Sequence, residues 1–132
     1  MSATGAPPHL VACKPFSWTL VIRKLDLPPK QRKVKLVAYT LATYADFDDG
    51  GNVRPGLKRL ARDTGYSERW VQDSLKTLRE HWLLYRHQRG SNSGKANLVD
   101  IHQLCLPADW ETRLPLVSDE VLAEADDPWA PQ

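Results

Sequence analysis

Apolar positions recur at helical spacing in four places along the chain. From Ser17, "SWTLVIRKL" puts Trp18, Val21, Ile22 and Leu25 at i, i+3, i+4 and i+7. That is one face of a helix with Ser17 as its N-cap, although the β-branched run also allows a strand. "DLPP" closes the element, because a residue before proline is pushed out of the helical region. "KQRKVKLVAYTLATYA" then aligns Val34, Val37, Ala38, Leu41, Ala42 and Ala45 in a second stripe, with Pro29 suited to its first turn. "GLKRLARDT" places Leu57, Leu60 and Ala61 on one face of a short helix that Gly65 ends. Ser67 caps a fourth helix, in which Val71, Leu75, Leu78 and Trp82 recur at i, i+4, i+7 and i+11.

Beyond Trp82 the period changes. "LLYRHQ" and "ANLVDIHQL" read as extended runs, and "RGSNSGK" between them, with Gly90 and Gly94, marks a loose hairpin. "NVRP" can add one short strand. "PADWETRLPLV" reads as irregular, and "SDEVLAEA" as a short acidic helix capped by Ser118. The expected fold class is therefore α+β, mainly α. An irregular N-terminal arm spans 1–16, a folded domain 17–104 and an acidic C-terminal tail 105–132.

At 132 residues and 42% apolar content, the chain is sized for one domain with a modest core. No apolar run approaches the ~18 residues of a membrane span. Without a visible signal peptide the cytoplasm is the expected compartment. Cys13 and Cys105 stand alone, so neither a disulfide framework nor a metal cluster is expected. Asp46, Asp48 and Asp49 in "DFDDGGN" suggest calcium, but the twelve-residue loop pattern fails: no acidic residue closes it and Gly50–Gly51 are misplaced. His9, His81, His87 and His102 lack metal-ligand spacing. With no nucleophile arrangement and no phosphate loop, no catalytic residue, cofactor or metal is expected.

Charge changes the picture more. The net +2 conceals fourteen basic and seven acidic side chains over 30–95, against one basic and eight acidic over 96–132. A basic body with an acidic tail suits a polyanion-binding core. Lys30, Arg32, Lys33 and Lys35 crowd the start of the second helix, where its dipole disfavours them.

The order of elements is helix, short strand, helix, tight turn, helix and basic hairpin. The stretch "PGLKRLARDTGYSERWVQDSLKTLREHWLLYRHQRGSNSGKANLVDI", together with the preceding "WTLVIRKLDLPPKQRKVKLVAYTLATYADFDDGGNV", resembles the winged helix-turn-helix domains common in phage and plasmid proteins and in bacterial regulators. The resemblance covers about residues 17–102 and implies a two- to three-stranded wing sheet with irregular termini. It also implies that the helix from Ser67 enters the major groove of double-stranded DNA. Stepping ~100° per residue from the apolar stripe puts Arg69, Asp73, Lys76 and Glu80 outermost, flanked by Gln72 and Thr77. Ser67, Arg69, Trp70, Gln72, Asp73 and Lys76 are the candidate groove contacts. Arg86, Arg89, Ser91, Asn92, Ser93 and Lys95 are the candidate wing contacts to phosphate or the minor groove. Lys58, Arg59 and Arg62 are candidate backbone clamps.

Two positions depart from the family. Trp70 stands where a small hydroxyl residue is usual. Trp82, next to His81, stands where a small residue or glycine ends the helix; its place in the stripe predicts core packing. Trp70 is left with three settings: the core edge of the turn, a thymine methyl or sugar, or a protein partner. The function expected is transcriptional regulation in a phage, plasmid or similar element, with replication, partition or excision site binding as the alternative. A rival of another class is a protein-interaction module using Trp70, Trp110, Trp129 and the tail, whose Val121, Leu122 and Ala125 form an apolar edge. A third use for the tail is to cover the basic face. A homodimer through "FSWTLVIRKL" is open beside its packing within the domain.

Overall fold

The computed structural model describes residues 7–88 and 100–117. In chain order the elements are β1 (Leu10–Ala12), α1 (Pro15–Lys24), a 3-10 turn (Pro29–Gln31), α2 (Val34–Ala42), α3 (Leu57–Thr64), α4 (Glu68–Glu80), β2 (Leu84–Gln88), β3 (Ile101–Pro107) and α5 (Trp110–Arg113). The class is α+β, mainly helical, with a three-stranded antiparallel sheet in the order β1-β3-β2. This arrangement is compatible with a winged helix.

The four helical stripes form most of the core. Trp18, Val21, Ile22 and Leu25 are buried, as are Val34, Val37, Ala38, Leu41 and Ala42, and Leu60, Val71, Leu75 and Leu78. The boundaries differ from the sequence expectation in physically simple ways. Ser17 lies inside α1 rather than capping it, because Pro15 starts the helix after an extended Lys14. Pro29 opens the separate 3-10 turn, and α2 begins only at Val34. Ala45 follows the last turn of α2 and is only partly buried.

The expected irregular arm supplies β1, paired as Leu10 with Pro107 and Ala12 with Cys105. Three apolar residues, of which Val11 and Ala12 are exposed, carry little periodic signal, so the pairing is set by β3. The start of the expected tail also belongs to the fold. β3 runs on to Pro107, Leu114 is buried, and Leu116 bridges Leu25. The acidic helix expected from Ser118 lies outside the described residues.

The Asp-rich loop is shaped by glycine. Gly50 has φ 74°, and a Cβ there would sit 2.0 Å from the Cys13 carbonyl oxygen. Only glycine lets this loop lie against β3, where Leu104 N–H donates to Gly50 O at 2.9 Å. The Asp49 carboxylate accepts from Gly51 N–H at 2.8 Å. Among the described residues no acidic, histidine or cysteine group could hold a metal.

The end of α4 is the main departure in the core. Trp82 does not continue the buried stripe; it leaves the helix at φ 63°. Leu83 N–H donates to Leu78 O at 2.9 Å and Trp82 N–H to Arg79 O at 3.0 Å. This nested pair ends a helix at a left-handed residue, a place normally held by glycine, and packs the next residue on the last turn. Here Leu83 and Leu78 are both buried. Trp82 thus occupies a backbone position and Leu83 the core position. Leu83→Ala should cost roughly 2–5 kcal/mol. Trp82→Gly, which relieves the left-handed strain, should change stability by less than about 1 kcal/mol. Urea unfolding measures both, and equal losses would contradict this ending of α4.

Candidate nucleic-acid interface

Gly65 adopts φ 78° and its N–H donates to Ala61 O at 2.9 Å, so α3 stops and the chain turns sharply. Tyr66 is half-buried against the core at the turn. Ser67 is extended, and its hydroxyl accepts from Trp70 N–H at 3.1 Å, capping α4. Such a cap is worth about 1 kcal/mol. Burial of Val71, Leu75 and Leu78 contributes roughly 1.5–3 kcal/mol each. The exposed Arg69–Asp73 pair, 3.7 Å apart and 84% and 64% exposed, adds only a few tenths. Packing, not surface charge, therefore sets which face of α4 looks outward.

That outward face carries Arg69, Gln72, Asp73 and Lys76, all exposed. Ser67 is exposed as well, but its hydroxyl oxygen is engaged in the cap. Trp70 lies at the boundary of the core, beside the turn. It is 45% exposed, and the Lys33 ammonium stands 3.9 Å over its ring centroid and 5.6 Å from that of Tyr66. A cleft of about 190 Å3 opens here, lined by Lys30, Gln31, Lys33 and Val34 on one side and Trp70, Asp73, Ser74 and Thr77 of α4 on the other. It is smaller than the ~300–1,000 Å3 of a small-molecule site. Sequence reasoning noticed the basic run at 30–35 but did not join it to Trp70. The two lie about forty residues apart, and only the α2–α4 packing brings them together.

The other flank of α4 meets the sheet. Arg79 lies 3.3 Å from His102 Nε2, and His102 is buried on β3 opposite Arg86. Burial first, then the Arg79 charge, pulls the His102 pKa down to about 4; Arg86 and His87 act in the same direction and Asp100 opposes them. The ring is thus a neutral acceptor for the Arg79 guanidinium. Arg86, a candidate wing contact, is partly buried and pairs with Asp100 at 3.5 Å. Arg89, Ser91, Asn92, Ser93 and Lys95 lie outside the described residues. Lys58, Arg59 and Arg62 are exposed on α3. Arg59 is near the Tyr44 hydroxyl, which bonds Asp63, and that hydrogen bond raises the Tyr44 pKa.

Both cysteines are buried free thiols. Burial pushes Cys105 up to about 12 and also raises Cys13, which makes each inert as a nucleophile or ligand. On α1, Trp18, Val21 and Ile22 pack within the domain while Phe16 and Leu20 stay exposed. Among the described residues no helix is long and apolar enough to cross a membrane. Compared with known protein families, curated proteins and solved structures, the chain matches none.

His102 makes stability depend on pH with a definite sign. The unfolded imidazole takes up its proton near pH 6.5, whereas the folded one resists until about 4. Between these values the unfolded chain binds more protons, so stability falls as pH falls, by up to roughly 3 kcal/mol in all. His102→Gln should flatten this part of the profile in urea unfolding from pH 7 to 4. A variant profile parallel to wild type would show that His102 is not the group responsible.

Proposed function

We propose that the chain is a winged helix-turn-helix protein that binds double-stranded DNA with the outward face of α4. The observation that carries the reading is the presentation of that face. A left-handed glycine turn and a serine cap set the start of α4, three buried side chains fix its rotation, and Arg69, Gln72, Asp73 and Lys76 are left in solvent. These are the side-chain types that read base edges: arginine and lysine pair with guanine, glutamine with adenine, and aspartate accepts from cytosine. The basic side chains of α3, Lys58, Arg59 and Arg62, are exposed and suit phosphate.

The same features make a protein-interaction module the weaker reading. An apolar partner seated on Trp70 would have to strip water from the Lys33 ammonium above it, whereas a polyanion would not. The resemblance to phage, plasmid and bacterial regulators extends the proposal to transcriptional regulation. Replication, partition and excision factors would use the same interface on different sites. No step of catalysis enters the proposal.

Arg69→Ala with Lys76→Ala tests it. On a duplex selected from a random pool, the double variant should bind about 10–100-fold more weakly, as expected for losing contacts worth roughly 1–3 kcal/mol in sum. Its loss on mixed-sequence duplex should be smaller. Unchanged affinity and unchanged salt slope in an anisotropy titration would remove α4 from the interface.

A further inference from the structure

The two flanks of α4 are not equivalent. At ~100° per residue, Gln72 and Arg79 lie on one side of the outward face and Trp70 and Thr77 on the other. The first flank runs into the sheet through Arg79 and His102. The second runs into the turn before α2, where Lys30, Arg32 and Lys33 are exposed and Lys33 is held over Trp70. The nearest carboxylate in that cleft, Asp73, lies 3.7 Å from Arg69. No acidic residue occupies the first turn of α2. The cations at this turn therefore face solvent beside the outward face of α4, with a half-exposed aromatic ring between.

A helix with its side chains is about 10–12 Å across, close to the ~12 Å width of the major groove. An α4 seated there has a phosphate backbone on each side. The basic turn at 30–33 occupies one of those sides. We propose that Lys30 and Lys33 clamp the DNA backbone along the Trp70 flank of α4, with the Trp70 ring as the surface against which the adjacent sugar packs. The inference rests on the DNA-binding reading and adds a contact region beyond the α4 face, the wing and the α3 clamp. It also gives Trp70 a use: the ring holds Lys33 at the cleft, and a small hydroxyl at this position would offer no ring face to hold it. The basic crowding at the start of α2, unfavourable to that helix in isolation, becomes favourable against phosphate.

The test is a salt titration of a labelled mixed-sequence duplex with the full chain, from about 50 to 200 mM salt, in parallel with the selected duplex. Lys30→Gln with Lys33→Gln should lower the slope of log K against log salt by close to 2, at about 0.9 for each phosphate no longer neutralised. It should weaken both duplexes by the same factor, since phosphate contacts do not discriminate sequence. Lys30→Arg with Lys33→Arg should keep the wild-type slope, which excludes a folding defect as the cause. An unchanged slope in the glutamine variant, with the Arg69→Ala and Lys76→Ala loss intact, would overturn the clamp and leave the α4 reading standing. Failure of the wild-type chain to bind either duplex would overturn both.

Discussion

The indole N–H of Trp18 holds the molecule's two halves together. The side chain is fully buried, and its nitrogen donates to Leu83 O at 3.0 Å and to Cys105 O at 3.1 Å. Those carbonyls lie 65 and 87 residues away in sequence. Leu83 is the residue just past the left-handed end of α4, and Cys105 belongs to the central strand β3. One side chain from α1 therefore bonds both the residue that follows the end of α4 and the central strand. Cys105 N–H also donates to Leu83 O at 3.2 Å, so the junction is a closed set of bonds in the core. Buried carbonyls that lose such a donor cost about 1–3 kcal/mol. The outward direction of Arg69, Gln72 and Lys76 follows from this junction and from the stripe of α4 together.

How much was legible in the sequence depended on the range of the interaction. The helical stripes were readable because each is a local repeat, and the members assigned from spacing are buried in α1, in α2 except Ala45 and in α4 except Trp82. The turn at Gly65 and the cap at Ser67 were readable because each uses a residue type suited to one backbone conformation. Helix starts were less so: Pro15 and Pro29 both serve first turns, and sequence alone did not show that α1 begins before Ser17 or that a 3-10 turn precedes α2. The strand β1 was illegible because its pairing partner lies about ninety-five residues away and its own three residues have no pattern. Trp82 was misread for a related reason. Its spacing fits the stripe, but a helix-ending motif needs the hydrogen bonds of Leu83 and Leu78 to be recognised.

The candidate interface shows the same division. Arg69, Gln72, Asp73 and Lys76 could be placed from periodicity. Arg86, expected at the wing, is partly buried and paired with Asp100, opposite buried His102, an ion pair that periodicity did not show. The association of Lys33 with Trp70 needed tertiary packing to appear. Charge is thus sorted by burial: neutral His102 and paired Arg86 lie at the sheet, while Lys30, Arg32, Lys33, Lys58, Arg59 and Arg62 remain on the surface around α4 and its neighbours.

The most direct test is a nitrogen–proton correlation spectrum of the labelled chain, recorded with increasing amounts of mixed-sequence duplex. Trp18 and Trp70 each give an indole signal, one buried and bonded within the core, the other half-exposed at the cleft. If α4 and the basic turn meet DNA, the backbone signals of 30–33 and 68–76 and the Trp70 indole shift as duplex is added, while the Trp18 indole and the exposed face of α1 at Phe16 and Leu20 stay in place. Shifts centred on Phe16 and Leu20, with 68–76 and Trp70 unmoved, would contradict that contact.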